Sequence, residues 1–250
     1  MNNTEKFSGR AEVYTEGRPS YALELIACLY EKYGFARQSI IADIGSGTGK
    51  LTKQLLDKGS TVFGVEPNSD MRNKAEKELG RYKNFISVDG TASATNLAPE
   101  SVDFITSAQA FHWFDANEFR VECKRILRPG GKIALIWNTR DMDFGINRKS
   151  YDVFTRYCPD FKGFGGGIQK DDRSIVEFFR GRYEREIFEN PLYFDRHKFI
   201  SRSLSGSYSL KKGDAKFEAY LEELNGLFDR YAGNDILKMG NNSIVYIGSV

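Results

Sequence analysis

The sequence predicts an α/β protein with a mainly parallel sheet covered by helices on both faces. Three observations carry this expectation. Between Ile40 and Trp137 short apolar runs alternate with segments of helical periodicity. Those runs lack a polar face, as strands covered on both sides should. One of them passes straight into a glycine-rich turn, Gly45-Ser46-Gly47-Thr48-Gly49, and then into a helical pattern.

In chain order, a first helix is predicted from about Pro19 to Tyr33, with Leu23, Ile26, Ala27 and Tyr30 on one face and Gly34 as its stop. Strands follow at Ile40–Ile44, Thr61–Glu66, Phe85–Val88, Asp103–Ser107 and Lys132–Trp137. Leu51 and Leu55 share the face of the helix after the glycines. Ala116, Phe119, Cys123, Ile126 and Leu127 mark a helix capped by Asp115, with Glu118 in capping-box position, and Arg128-Pro129-Gly130-Gly131 is predicted to end it in a turn.

Beyond Asn138 the pattern loosens. Gly163 to Gly167 form a glycine-rich loop, Tyr183–Phe188 and Ser243–Ile247 are predicted strands, and Phe217, Tyr220, Leu221, Leu224, Leu227, Phe228 and Tyr231 trace one amphipathic helix. The expected organisation is a single domain over 1–250, with a core at 36–140 and inserted elements at about 141–182 and 190–240.

Composition narrows the function. The chain has 250 residues, 36 Lys and Arg against 34 Asp and Glu, and a net charge of +2, so no strong field draws it onto nucleic acid or anionic membrane. Cys28, Cys123 and Cys158 form no CxxC pair, which argues against a disulfide framework or zinc ribbon and for a reducing cytoplasm. Residues Met1 to Arg10 lack a signal-peptide core, and no stretch approaches the roughly 18 apolar residues of a membrane span. The two histidines, His112 and His197, are 85 positions apart and lack metal-ligand spacing; His197 is expected at the surface. Arg180, Arg182 and Arg185 are interrupted by Glu184 and Glu186 and are expected at a solvated strand or helix end.

The glycine turn is the most informative segment. Glycine lets a backbone approach a ligand closely, and a helix start offers unpaired N–H groups. Glu66 lies 21 positions after Gly45, at the end of the next strand, the offset at which an acid meets a ribose. Strand, glycines and acid together define a nucleoside site. Lys50 stands where a dinucleotide fingerprint needs its third glycine, which argues against NAD. Ile44 and Leu51 break a phosphate loop at both ends, which argues against ATP.

Asp43-Ile44-Gly45-Ser46-Gly47-Thr48-Gly49 after a strand resembles the first motif of class I S-adenosylmethionine-dependent methyltransferases. The resemblance continues in order over about residues 10 to 140. It implies that Glu66, beside Pro67, binds the ribose, that Met71 lies against the adenine, and that Asp89, in Asp89-Gly90-Thr91-Ala92, sits near its amino group. Ser107-Ala108-Gln109-Ala110-Phe111-His112-Trp113-Phe114 resembles the segment that ends the fourth strand, and its Phe-His-Trp-Phe form is similar to the methyltransferase type 11 group, relatives of trans-aconitate methyltransferases included. The family implies a Rossmann-like seven-stranded sheet in the order 3-2-1-4-5-7-6 with the last strand antiparallel. It also implies Tyr14 over the methyl end, Arg18 near the methionine carboxylate, and S-adenosylhomocysteine as product.

The expected activity is therefore methyl transfer to a small molecule, with a carboxylate as one candidate acceptor and nucleic acid disfavoured. Tyr14, Gln109, His112, Trp113 and Arg140 are the candidate acceptor-pocket residues, and His112 is either a general base or a pocket wall. Phe111, Trp113 and Phe114 line a pocket or belong to the core. Arg140 or Arg202 is a candidate partner for an acidic substrate. An aminopropyl transferase and a non-catalytic cofactor-binding scaffold remain as alternatives.

Overall fold

The computed structural model describes residues 19–164, 173–206 and 208–250. Tyr14 and Arg18 lie outside the described residues, as does the end of the glycine-rich loop at 165–167. The chain divides into two compact units. The first comprises 1–137, 167–188 and 243–250, and the second 138–166 and 189–242.

The first unit opens with α1 (Leu23–Lys32), which buries Leu25, Ile26 and Leu29. It starts four residues later than the sequence suggests, because long-range bonds hold the preceding backbone. Tyr21 exchanges hydrogen bonds with the side chain of Gln54 at 3.1 and 2.8 Å, and the N–H of Ala22 donates to Ser243 Oγ at 2.9 Å. Then follow β1 (Ile40–Ile44), α2 (Lys50–Asp57), β2 (Thr61–Val65), α3 (Ser69–Leu79), β3 (Phe85–Val88), β4 (Val102–Ala108) and a short turn of 3-10 helix, Phe111–Trp113. After these come α4 (Ala116–Ile126) and β5 (Leu127–Arg140).

The predicted turn at Arg128–Gly131 is a bulge inside β5. Val102 faces Leu127 and Phe104 faces Lys132, so four residues of β5 stand opposite Asp103 alone. Gly130, with φ 83°, and Gly131, whose added Cβ would meet Asp103 O at 2.8 Å, make that excursion possible. Leu127 accordingly begins a strand rather than completing α4.

Helices α5 (Gly145–Tyr157) and α6 (Arg173–Phe179) precede β6 (Tyr183–Glu189). The chain continues through β7 (Leu192–Phe194), α7 (Arg196–Leu204), α8 (Phe217–Tyr231), β8 (Leu237–Met239) and β9 (Asn241–Gly248). The main sheet has the order β3-β2-β1-β4-β5-β9-β6, and its pairings among β1 to β5 are parallel. This is the doubly wound order the resemblance implies, with the seventh strand appearing as β9.

Period-two alternation divides the sheet between two cores. Ile41, Val62, Ala134, Ile136 and Val245 join Leu25, Leu29 and Leu55 on one face. Ala42, Ile44, Ile133, Leu135 and Trp137 join Phe111, Phe119, Cys123 and Phe178 on the other. Burial of each large apolar side chain contributes about 1.5 to 3 kcal/mol, so neither helical layer is dispensable.

In the second unit, Phe154, Phe199, Tyr220, Leu224 and Phe228 form a core among α5, α7 and α8. Helix α8 matches its predicted span, since its buried positions recur every three or four residues. Leu192 to Phe194 pair antiparallel with Leu237 to Met239.

Candidate functional site

The site lies in the first unit, at the carboxyl ends of β1, β2 and β4. Its three glycines serve different ends. At Gly45, φ 68°, an added Cβ would stand 2.7 Å from Ala110 Cβ and 3.2 Å from the ring of Phe114. At Gly49, φ 82° and the N-cap of α2, it would stand 2.5 Å from Leu79 Cδ1. Both positions are closed by protein. Gly47, φ 58°, would meet nothing within 4 Å, so it is the glycine past which a ligand can approach the backbone. The N–H groups of Gly45 and Ser46 donate to Val65 O at 2.8 and 3.2 Å, locking the turn to β2, and Thr48 is buried behind it.

Glu66 faces this turn. Its Oε2 accepts the N–H of Gly47 at 3.0 Å and its Oε1 accepts the N–H of Asn68 at 2.9 Å. A carboxylate has about four acceptor positions, so each oxygen retains one for a ligand hydroxyl. Burial pushes the Glu66 carboxyl up, opposed by these two N–H groups and by Arg72. Pro67 follows, half-buried, and Asn68 caps α3 by accepting Met71 N–H at 3.1 Å, which seats Met71 as a buried apolar surface after the acid.

Asp89 is exposed and bonded to Arg72 Nη1 at 3.0 Å, and Arg72 also donates to Glu66 O at 2.8 Å, so one guanidinium links the two acids. Gly90 is packed tightly, its added Cβ falling 2.7 Å from Thr95 O. Thr91 closes a small turn with Ala94, and Ala92 is half-buried. Ser107 lies fully buried in β4, and its Oγ has no hydrogen-bond partner among the described residues. Gln109 holds a left-handed φ of 54° and donates its N–H to Ile136 O at 2.9 Å.

The aromatic segment divides. Phe111 is core, at 5.0 Å from the Phe178 ring and 6.3 Å from Trp137, and Phe114 packs 5.0 Å from Phe119 while closing Gly45. His112 and Trp113 are exposed, their rings 4.9 Å apart. His197 is exposed. Glu184 and Glu186 beside the arginine cluster pair with Lys32, as a solvated strand would allow. Arg140 and Arg202 lie in the second unit.

Sequence reading missed Asp43 as more than a letter of the motif. It is buried at the end of β1, accepting Thr52 Oγ1 at 2.6 Å and Thr106 Oγ1 at 2.9 Å, and so clamps β1, α2 and β4 behind the glycine turn. A carboxylate inside an otherwise apolar strand was the available signal. Among the described residues no group of three His, Cys, Asp or Glu side chains is placed to hold a metal.

A doubly wound sheet with a glycine turn and an acid at the end of the second strand defines a nucleoside-binding α/β domain. Residues 42–135 match a family described as "Methyltransferase domain", of the type 11 group. An uncharacterised methyltransferase of Mycobacterium bovis is 37% identical over 150 residues, 60% of this chain and 59% of that protein. A protein of Saccharomyces cerevisiae named a probable S-adenosylmethionine-dependent methyltransferase is 30% identical over 182 residues, 71% of this chain and 62% of that one. The chain thus matches less than two thirds of the length of either relative. A solved structure assigned as a type II methyltransferase, from Anaeromyxobacter dehalogenans, covers 93% of this chain and 97% of its own at 21% identity, with a TM-score of 0.66.

Proposed function

We propose that this chain transfers a methyl group from S-adenosylmethionine to a small-molecule acceptor and that the accepting group is a carboxylate. The observation that carries the cofactor is Glu66, fixed by Gly47 and Asn68 N–H groups with one acceptor position left on each oxygen. Charge-assisted hydrogen bonds from a ribose diol to such a carboxylate are worth about 1.5 to 3 kcal/mol each. The named yeast relative supports the same cofactor.

When bound, the cofactor supplies a methyl group activated on a sulfonium. The remaining work belongs to the chain. Gly47 leaves the approach to the backbone open, Met71 offers an apolar seat, and Ser107 Oγ is a buried donor without a partner among the described residues. Tyr14, Arg18, Asp89, Gly90, Thr91 and Ala92 complete the proposed cofactor contacts, and Gln109, His112 and Trp113 the acceptor side. Displacement at a methyl group asks for alignment and exclusion of water more than for a nucleophile on the protein. A carboxylate is ionised at pH 7 and needs no base.

No helix among the described residues is long and apolar enough to cross a membrane, and Cys28, Cys123 and Cys158 are all unbridged. Both support a cytoplasmic setting.

Thermal unfolding tests the reading. S-adenosylmethionine and S-adenosylhomocysteine at about 100 times their dissociation constants should each stabilise the chain by roughly 2.7 kcal/mol and raise the midpoint by several degrees. Decarboxylated S-adenosylmethionine and NADH should not. An equal response to NADH, or none to the first two, overturns the cofactor. Transfer of labelled methyl to a panel of organic acids, amines and phenols then tests the acceptor.

A further inference from the structure

Strands β2 and β3 run in parallel register up to Val65 and Val88, and the N–H of Glu66 donates to Val88 O at 3.1 Å. Glu66 and Asp89 therefore follow side by side at neighbouring strand ends, within the first unit. Two anions so placed repel each other unless a cation stands between them. Arg72 is that cation. Its Nη1 donates to Asp89 Oδ1 at 3.0 Å and to the main-chain oxygen of Glu66 at 2.8 Å. It comes from the first turn of α3, where the helix dipole favours acids, so helix formation gives no reason for an arginine there.

Asp89 is held from behind as well. Its carbonyl accepts Asn96 Nδ2 at 2.7 Å, and Gly90, the next residue, leaves no room for a Cβ against Thr95 O. The Asp89 side chain is 72% exposed and that of Arg72 only 17%, so a carboxylate in solvent is anchored to a largely buried guanidinium. With Oδ1 engaged by Arg72, Oδ2 remains for a ligand. An ionised carboxylate accepts hydrogen bonds and donates none. Held in one direction, it suits an amino group and repels a carbonyl oxygen at the same place.

We propose that Arg72 is a positioning residue for base selectivity. By tying Asp89 to the main chain of Glu66, it fixes the carboxylate that accepts an exocyclic amino group, so that the site takes an aminopurine nucleoside and rejects its oxo counterpart. The proposal rests on the S-adenosylmethionine reading and deepens it: Asp89 makes the contact, and Arg72, which touches no part of the nucleoside, gives that contact its direction. An Asp89 without Arg72 would swing in solvent and accept from either base through water.

Calorimetric titration of the whole chain with S-adenosylhomocysteine and with S-inosylhomocysteine, in which an oxygen replaces the amino group, tests this. Wild type should bind the first at least about tenfold more tightly. Arg72→Met keeps the stem and removes the charge; it should narrow the ratio to within about threefold, chiefly by weakening S-adenosylhomocysteine. Arg72→Lys, whose ammonium can still donate to both oxygens, should keep part of the ratio. Glu66→Gln should weaken both ligands alike and leave the ratio unaltered, because the ribose is common to them. Circular dichroism reports the fold of each variant, and Arg72→Gln, neutral and polar, gives the same reading if Arg72→Met does not fold. An unaltered ratio in the folded neutral variant, even with both affinities reduced, makes Arg72 a structural residue and overturns the proposal. Equal binding of the two ligands by wild type overturns it too. Binding of neither ligand by folded wild type is a different result, which overturns the cofactor reading and the base selectivity with it.

Discussion

The hydroxyl of Thr52 donates to Oδ2 of Asp43 at 2.6 Å, joining β1 to the first turn of α2 directly behind the glycines. Burial pushes the Asp43 carboxyl up to about 6, while the Thr52 and Thr106 hydroxyls and the Thr52 N–H favour its anion. Between about pH 4 and pH 6 the folded chain keeps a proton that the unfolded chain has released, so this group makes stability fall as pH rises through that window. The full effect is about 3 kcal/mol at roughly 1.36 kcal/mol per pKa unit. Asp43→Asn should remove that slope; denaturant midpoints for both proteins across the window check it, and parallel curves would refute the assignment.

Glu122 should behave in the opposite sense. Burial raises its carboxyl, but Arg125, at 2.6 and 2.7 Å, and the N–H and hydroxyl of Thr95, at 2.8 and 2.5 Å, outweigh that and hold it at about 2. Its contribution is present above the ordinary carboxylate range and disappears as pH falls through about 4 toward 2. Glu122→Gln should cost about 2 to 3 kcal/mol at neutral pH, with the difference from wild type closing in acid. Thr95 carbonyl packs against Gly90, so the same variant should also loosen the segment that carries Asp89.

Gly45 and Gly47 should separate stability from binding. Gly45→Ala drives a Cβ into Ala110 and Phe114 and should cost about 2 kcal/mol or more. Gly47→Ala meets no protein atom, so it should cost only about 1 to 2 kcal/mol of left-handed strain yet weaken S-adenosylmethionine at least tenfold. Melting curves with and without cofactor distinguish the two; equal behaviour would sink the assignment of Gly47 to the ligand side.

Glu66→Gln keeps size and shape and replaces an anion with a neutral amide. Cofactor affinity should fall about ten- to hundredfold with the fold retained, as read by calorimetry and circular dichroism. Unaltered affinity would move the ribose elsewhere.

His112 is exposed beside Trp113. If the accepting group is a carboxylate, His112→Gln should leave kcat within about threefold of wild type and leave no new pH dependence. A drop of about a hundredfold, with a changed pH profile, would point to a hydroxyl or phenol acceptor and to His112 as its base.

The local core of the site was legible because it is written locally. Gly45 to Gly49 and Glu66 sit at fixed offsets on consecutive strands, and α8 repeats its apolar positions over four turns. What escaped depends on distant partners. Nothing near Pro19 foretells that Gln54 and Ser243 hold Tyr21 and Ala22 outside the helix, and nothing in Arg128-Pro129-Gly130-Gly131 says that Asp103 faces it as a bulge. Nothing beside Asp43 or Glu122 in the chain marks the threonines that hold them, since those partners lie at least 9 and 27 positions away. Phe111 and Phe114 share a motif with His112 and Trp113, and only packing assigns the first pair to the core and the second to the surface.

Three of the four junctions between the units fall on β5, β6 and β9, which are neighbours in the main sheet. Segments 138–166 and 189–242 are thus exchangeable cassettes, entered and left at strands whose spacing of about 4.8 Å is set by backbone hydrogen bonds rather than by either cassette. Glu66 and the glycine turn lie outside both segments. Divergent relatives should therefore share the glycine turn and Glu66 while differing in these two segments, and a laboratory chimera joined at these strands should keep the midpoint shift with S-adenosylhomocysteine.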